Sequence, residues 1–142
     1  TVELTLLDST MKKISYLNSY CQANNYQIKC VCSRVEEYAL DNREAYDFAF
    51  ARALAPLNIL LELIIPLLKI DGYFVALKGS NFQSEINDCK SAFKKLDCEI
   101  VEIKRYILPE SKEERNILLI KKNAKTDKKY PRAYSKIKSK PL

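Results

Sequence analysis

The chain has 142 residues, 47% of them hydrophobic, which is enough for one domain with a sizeable core and excludes global disorder. Its net charge of +6 is concentrated at one end: residues 121–142 carry a net of +8, with Asp127 as their lone acid, and residues 1–120 carry a net of −2. The chain contains no histidine, which excludes Ser-His, Cys-His and His-base catalysis.

The first element is a buried strand over Val2–Leu7 (VELTLL) ending at Asp8. STMKKISYLNSYCQ follows with a Ser/Thr start and apolar residues at 14, 17 and 21, the spacing of a helix. After the Asn24-Asn25 break, YQIKCVC alternates as a second strand, and RVEEYALDNREA reads as a short helix or a loop. YDFAFA, 46–51, is the third strand, which puts Arg52 at its carboxyl end. A guanidinium stays charged and is costly to bury alone, so an arginine in this apolar run points to an ion pair or an anion site.

NILLELIIPLLK, after Pro56, predicts an apolar helix of about three turns, and Asp71-Gly72 a turn. The helix is too short, and too interrupted by Glu62 and Pro66, to span a bilayer. GYFVALKG is a further strand ending at Lys78-Gly79, and NFQSEINDCKSAFKKL has helical spacing. CEIVEIKRYIL and ERNILLIKK read as two final strands joined around Pro109, and beyond Lys122 the periodicity stops. Two parts are therefore expected: a domain over 1–122 and a basic tail over 123–142. The tail reads either as a solvated end or as a contact with a polyanion such as RNA. The five cysteines, odd in number and without a CxxC pair, read as free thiols of a reducing cytosol. With no basic-then-apolar start either, a soluble, cytoplasmic protein is expected.

Alternating strands and helices predict an open α/β sheet, mostly parallel, with a terminal strand pair that can be antiparallel. Ligands of such sheets bind beyond the carboxyl ends of the strands, and Asp8, Arg34 to Glu36, Arg52 and Lys78 fall at or just past those ends. Asp8 suits the hydroxyls of a ribose and equally suits a helix cap. Val35 and Glu36 suit an adenine ring, although Glu36 also fits a solvent-facing helix position. Lys78-Gly79 suits a phosphate or an ordinary turn.

In order along the chain, LLDSTMKKISYL, RVEE, FARAL, ALKG, EERNILLIKK and KKYPR…KPL resemble successive motifs of the bacterial 16S ribosomal RNA methyltransferase G family, also called glucose-inhibited division protein B. Each motif is weak alone; six in order over residues 4–142 are specific. The resemblance implies a class I, Rossmann-like fold with S-adenosylmethionine as cofactor, methylating N7 of a guanine in 16S ribosomal RNA or a small-subunit precursor. It implies cofactor contacts from Asp8, Ser9, Val35, Glu36 and Arg52, with Arg52 also orienting the substrate as the catalytic residue. It further implies RNA contacts from Lys12, Lys78, Arg115 and Arg132; separately, a monomer without metal or membrane association is expected.

The chain departs from the family pattern at several positions. Lys13 stands where arginine is usual, Glu113 where glycine precedes the Glu-Arg pair, Asn116 where histidine follows it, and AYSKI where the tail has a Gly and a Pro. The family's first strand and glycine-rich loop have no counterpart, since the first glycine is Gly72. That strand belongs between those matching 2–7 and 46–51, and its loss would leave two unpaired edges, so the chain is expected to begin partway through a longer protein. Two other classes compete: a non-catalytic RNA-binding module, favoured by the missing loop, and a dinucleotide-dependent oxidoreductase, which leaves Arg52 and the tail without a role.

Overall fold

The computed structural model describes residues 1–52 and 54–142, so Ala53 of the FARAL motif lies outside the described residues. The chain divides into two compact units, Thr1–Asp41 and Asn42–Leu142.

The first unit is β1 (Leu4–Asp8), α1 (Met11–Ala23), β2 (Ile28–Cys32) and α2 (Val35–Asp41). β1 and β2 pair in parallel from Leu4↔Ile28 to Asp8↔Cys32. The first strand thus starts later than the pattern Val2–Leu7 suggests and takes in Asp8. α1 buries Ile14 and Cys21, seven positions apart and so on one face of the helix. The ambiguous RVEEYALDNREA segment forms a helix, which buries Tyr38 and Ala39.

The second unit contains β3 (Tyr46–Arg52), α3 (Leu57–Ile64), a 3-10 turn at Ile65–Leu67, β4 (Leu68–Lys78), α4 (Phe82–Asn87), α5 (Lys90–Leu96), β5 (Cys98–Ile107), β6 (Glu114–Lys122) and α6 (Tyr134–Ser139). Its sheet has the order β3-β4-β6-β5. β3 and β4 are parallel, and β6 runs antiparallel to both its neighbours. The parallel strands and the antiparallel end expected from the sequence are both present. β1 pairs only with β2 and β3 only with β4 among the described residues, so each is an edge strand of its own sheet.

Three elements differ from the sequence expectation for identifiable reasons. The helix predicted over 58–69 ends at Ile64, because Pro66 lacks the amide that another turn needs, and the chain enters β4 at Leu68. Asp71-Gly72 is an irregularity inside β4, where pairing jumps from Tyr46↔Leu68 to Phe48↔Tyr73. Asp71 there has φ 66°, and a Cβ on Gly72 would lie 2.9 Å from the Lys69 carbonyl and 3.0 Å from that of Asp47. Only glycine permits that approach. The helix predicted over 81–96 is split into α4 and α5 around Asp88-Cys89, and it stops where Asp97 takes a left-handed conformation at φ 53°.

The core of the second unit lies on one face of its sheet. Phe74, Ala76, Leu118 and Ile120 are all 0% exposed, whereas Phe48 and Phe50, whose partners Tyr73 and Val75 alternate with Phe74, are 55% and 67% exposed. Residues 123–142 contribute to this core. Thr126, Tyr130 and Ile137 are buried, and α6 packs on α3. The cause is α3 itself, LNILLELI, buried at every position but Asn58: a helix apolar all round needs cover on a second side. Arg43 fastens the segment, its Nη2 donating to the Thr126 carbonyl at 3.0 Å and the Asp127 carbonyl at 3.3 Å, and its Nη1 to the Tyr130 carbonyl. Lys122, part of the basic run in the sequence, is fully buried, with Nζ donating to the carbonyls of Leu68 at 2.8 Å and Ile65 at 3.2 Å and to Glu44 at 3.3 Å. Burial pushes its pKa down, partly offset by Glu44.

Candidate cofactor and substrate positions

In the first unit the parallel pairing of β1 and β2 brings their carboxyl ends together, Asp8 opposite Cys32. The link is continued by the Ser33 amide donating to the Asp8 carbonyl at 3.2 Å and by the Cys32 thiol against the Ser9 carbonyl at 3.7 Å. The Asp8 carboxylate accepts the Thr10 amide on Oδ1 at 2.8 Å and Lys13 Nζ on Oδ2 at 3.4 Å. The Thr10 amide is the largest cause holding the Asp8 pKa below its ordinary value, with Lys13 adding to it and partial desolvation opposing. The Asp8 side chain thus holds the Thr10 amide just before α1 and, 33% exposed, stays ionised with acceptor capacity left over.

Val35 opens α2, and Glu36 is ion-paired with Arg34, its side chain 11% exposed. Glu36 is thus turned onto its neighbour and is no solvent-facing helix residue. Ser9 and Lys12 are exposed.

In the second unit the ladder sets a row of groups at one end of the sheet: Arg52 opposite Leu77, and Lys78 opposite Asn116, next to Arg115. Arg52 ends β3 and is exposed, and its side chain makes no hydrogen bond or ion pair with the described residues. Arg115 is bonded to the Glu113 carboxylate and, through Nη1, to the Glu114 carbonyl at 3.0 Å, with its side chain still 39% exposed. Asn116, 1% exposed, donates to the Gly79 carbonyl at 3.1 Å and to Glu114 at 3.0 Å, and so ties β6 to the turn after β4.

Two of the residues expected to contact RNA have partners within the protein. Lys78 Nζ is occupied by Glu85 at 2.7 Å and the Ala55 carbonyl at 3.0 Å, with its side chain 10% exposed. Arg132 is occupied by the buried Glu62, through its amide at 2.9 Å, Nε at 2.8 Å and Nη2 at 2.6 Å. A cation already satisfied inside the protein has little to offer a phosphate. Sequence reasoning missed Glu85 and Glu62 as the partners, since Glu85 lies on the helix after the strand that ends at Lys78, and Glu62 lies far from Arg132 along the chain.

The donor set fits S-adenosylmethionine on its ribose side: an ionised, partly exposed carboxylate at the end of a parallel strand is suited to hydroxyl donors. Asp8 and Ser9 would hold the ribose, with Val35 and Glu36 toward the adenine.

Comparison with known proteins agrees with the fold and the motif order. The chain is 40% identical, over 99% of its length, to the ribosomal RNA small subunit methyltransferase G of Thermoanaerobacter pseudethanolicus, and 41% identical, over 92%, to that of Bacillus cytotoxicus. It spans 60% and 56% of the lengths of those two relatives. Among solved structures it resembles a SAM-dependent methyltransferase from Methanosarcina mazei (TM-score 0.65, 11% identity, 87% of this chain and 83% of that one). A second is an rRNA methylase from Streptococcus thermophilus (TM-score 0.59, 11% identity, 86% and 74%). At such identities these neighbours establish the fold, which is that of the class I methyltransferases. The family model for rRNA small subunit methyltransferase G (GidB) matches residues 1–118, and the chain belongs to that family.

Proposed function

We propose that this protein, at its full natural length, transfers a methyl group from S-adenosylmethionine to N7 of a guanine in 16S ribosomal RNA or a small-subunit precursor, in the cytoplasm and as a monomer. The observation that carries the reading is Arg52: an exposed guanidinium at the carboxyl end of a parallel strand, in a chain of this family, with no partner among the described residues. When bound, the cofactor supplies an electrophilic sulfonium methyl.

The residues of this chain have a limited task, which suits a protein without histidine. Guanine N7 carries an in-plane lone pair and no proton, so attack on the methyl carbon requires alignment and no general base. Asp8 and Ser9 bind the ribose, and Val35 and Glu36 bound the adenine side. Arg52 orients the base with a planar fork that fixes two acceptors in direction. Lys12 and Arg115 meet the RNA backbone.

The test is Arg52→Lys in the protein at full natural length, comparing melting temperature with single-turnover methylation of ribosomal RNA. Charge is kept and the fork is lost, so the fold should stand and turnover should fall severely. A lower melting temperature with near-normal turnover would make Arg52 a structural residue. Wild-type protein that binds RNA without methylating it would leave the RNA-binding module as the correct reading.

A further inference from the structure

Just downstream of Arg52, residues distant in sequence converge on one short segment. Oε2 of Glu85, on α4, accepts both the Leu57 amide and Lys78 Nζ at 2.7 Å, and the same Nζ donates to the Ala55 carbonyl at 3.0 Å. Leu57 is the first residue of α3, whose first-turn amides have no acceptors within the helix. Its N-cap is Pro56, which has no side-chain acceptor to offer. Glu85 takes the place of the missing cap from another helix, and its negative charge suits that end of the helix.

The two sides of the Arg52 segment are therefore held by neighbouring residues of β4. Arg52 itself is held through the ladder opposite Leu77; the Ala55 carbonyl is held by Lys78, and the Leu57 amide directly by Glu85. The Lys78 and Glu85 side chains are 10% and 29% exposed, so the charge-assisted bond between them is partly shielded from competing water.

We propose that Lys78 and Glu85 are positioning residues, which brace the segment Ala55–Leu57 and thereby fix the direction in which Arg52 leaves its strand. The inference rests on the function proposed above. It assigns Lys78 a role different from contact with RNA: the ammonium acts on the protein's own backbone, and Glu85 is needed equally.

The experiment uses Lys78→Met, Glu85→Gln and Glu85→Leu in the protein at full natural length, below the melting temperature of each. It measures single-turnover methylation at saturating cofactor and RNA, together with RNA affinity over a salt series. Lys78→Met and Glu85→Leu should lower the turnover constant at least tenfold while RNA affinity and its salt dependence stay at wild-type values. Glu85→Gln, which keeps an acceptor for the Leu57 amide, should lose less than Glu85→Leu. If Lys78→Met instead flattens the salt slope by roughly 0.7 to 0.9 and Glu85→Leu does not, Lys78 grips a phosphate and the inference is overturned. Variants that melt earlier but turn over normally overturn it as well, leaving a purely structural pair. Wild-type protein that fails to methylate removes the functional reading and the inference together; active wild type with normal variants removes the inference alone.

Discussion

Glu62 is the most demanding side chain in the core, and replacing it by leucine tests how the C-terminal segment is held. It sits in the middle of α3 at 0% exposure, and its two oxygens take three bonds from Arg132, whose side chain is 18% exposed. The pair is shielded, so the discount that applies to surface ion pairs does not apply here. Glu62→Leu leaves a guanidinium and a backbone amide without their acceptor. Arg132→Met leaves a buried carboxylate without its cation. Breaking such a pair from one side costs about 3–5 kcal/mol, because the remaining charge is uncompensated. The double variant Glu62→Leu/Arg132→Met removes both charges and leaves only the residue-132 amide without its acceptor, so it should be clearly more stable than either single variant and lie within about 1–3 kcal/mol of wild type. Urea unfolding of the four proteins at neutral pH gives the cycle. Single variants that each cost less than about 1 kcal/mol, with a double that is additive within about 0.5 kcal/mol, would refute the reasoning and make the pair incidental.

Three further outcomes are expected. Asp8→Ala in the protein at full natural length should weaken S-adenosylmethionine binding by roughly 1.5 to 3 kcal/mol and leave RNA binding nearly intact, which calorimetry would check. Because the Asp8 pKa is depressed, its contribution is complete above the ordinary carboxylate range and fades only as pH falls through the lowered value; cofactor binding that weakens as pH is lowered toward about 6 would point to a different group. Cys89 and Cys98, whose thiols burial pushes up to about 12, should resist iodoacetamide at about pH 8 in the folded chain and react on unfolding, as mass spectrometry would show. Replacing the exposed Lys125, Lys128, Lys136, Lys138 and Lys140 by glutamine should flatten the salt dependence of RNA binding by about 0.7 to 0.9 for each phosphate no longer neutralised. An unchanged slope would make these lysines a solvated face.

The parts of the fold that are legible in the sequence are those where period and breaker agree. β1, α1, β3 and β6 follow their hydrophobic patterns to within a few residues, and Arg52 closes its strand because nothing after YDFAFA sustains the alternation. Legibility fails where tertiary contact overrides the local signal. Asp71-Gly72 has the composition of a turn, but the carbonyls of Lys69 and Asp47 close around Gly72 and keep it within the strand. The predicted 81–96 helix has continuous apolar spacing, and its break at Asp88-Cys89 is written in no helix-breaking residue. The positions of Asp8, Val35 and Arg52 at strand ends follow from the pattern of elements. The engagement of Lys78 and Arg132 does not, since a cation's availability depends on which carboxylate the fold brings to it.

The basic C-terminal run shows how far that dependence reaches. Summed along the sequence, residues 121–142 form one positive reservoir with a net charge of +8. The fold divides it by function: Lys122 is buried on backbone carbonyls and Glu44, Arg132 closes over Glu62, and Lys121 pairs with Asp71. The inward Lys122 and Arg132, with the buried Tyr130 and Ile137, hold the segment against the core. The lysines that remain exposed are consequently displayed from a fixed backbone, so part of the ordering cost of meeting a polyanion is met by folding. Deleting the whole segment would strip the cover from α3 and strand Glu62 at the same time, and weaker RNA binding by that variant would report unfolding as readily as a missing interface. Neutralising the exposed lysines alone separates the two: Arg132 meets Lys140 through its backbone carbonyl, which glutamine keeps, so the hold on Glu62 survives the substitutions.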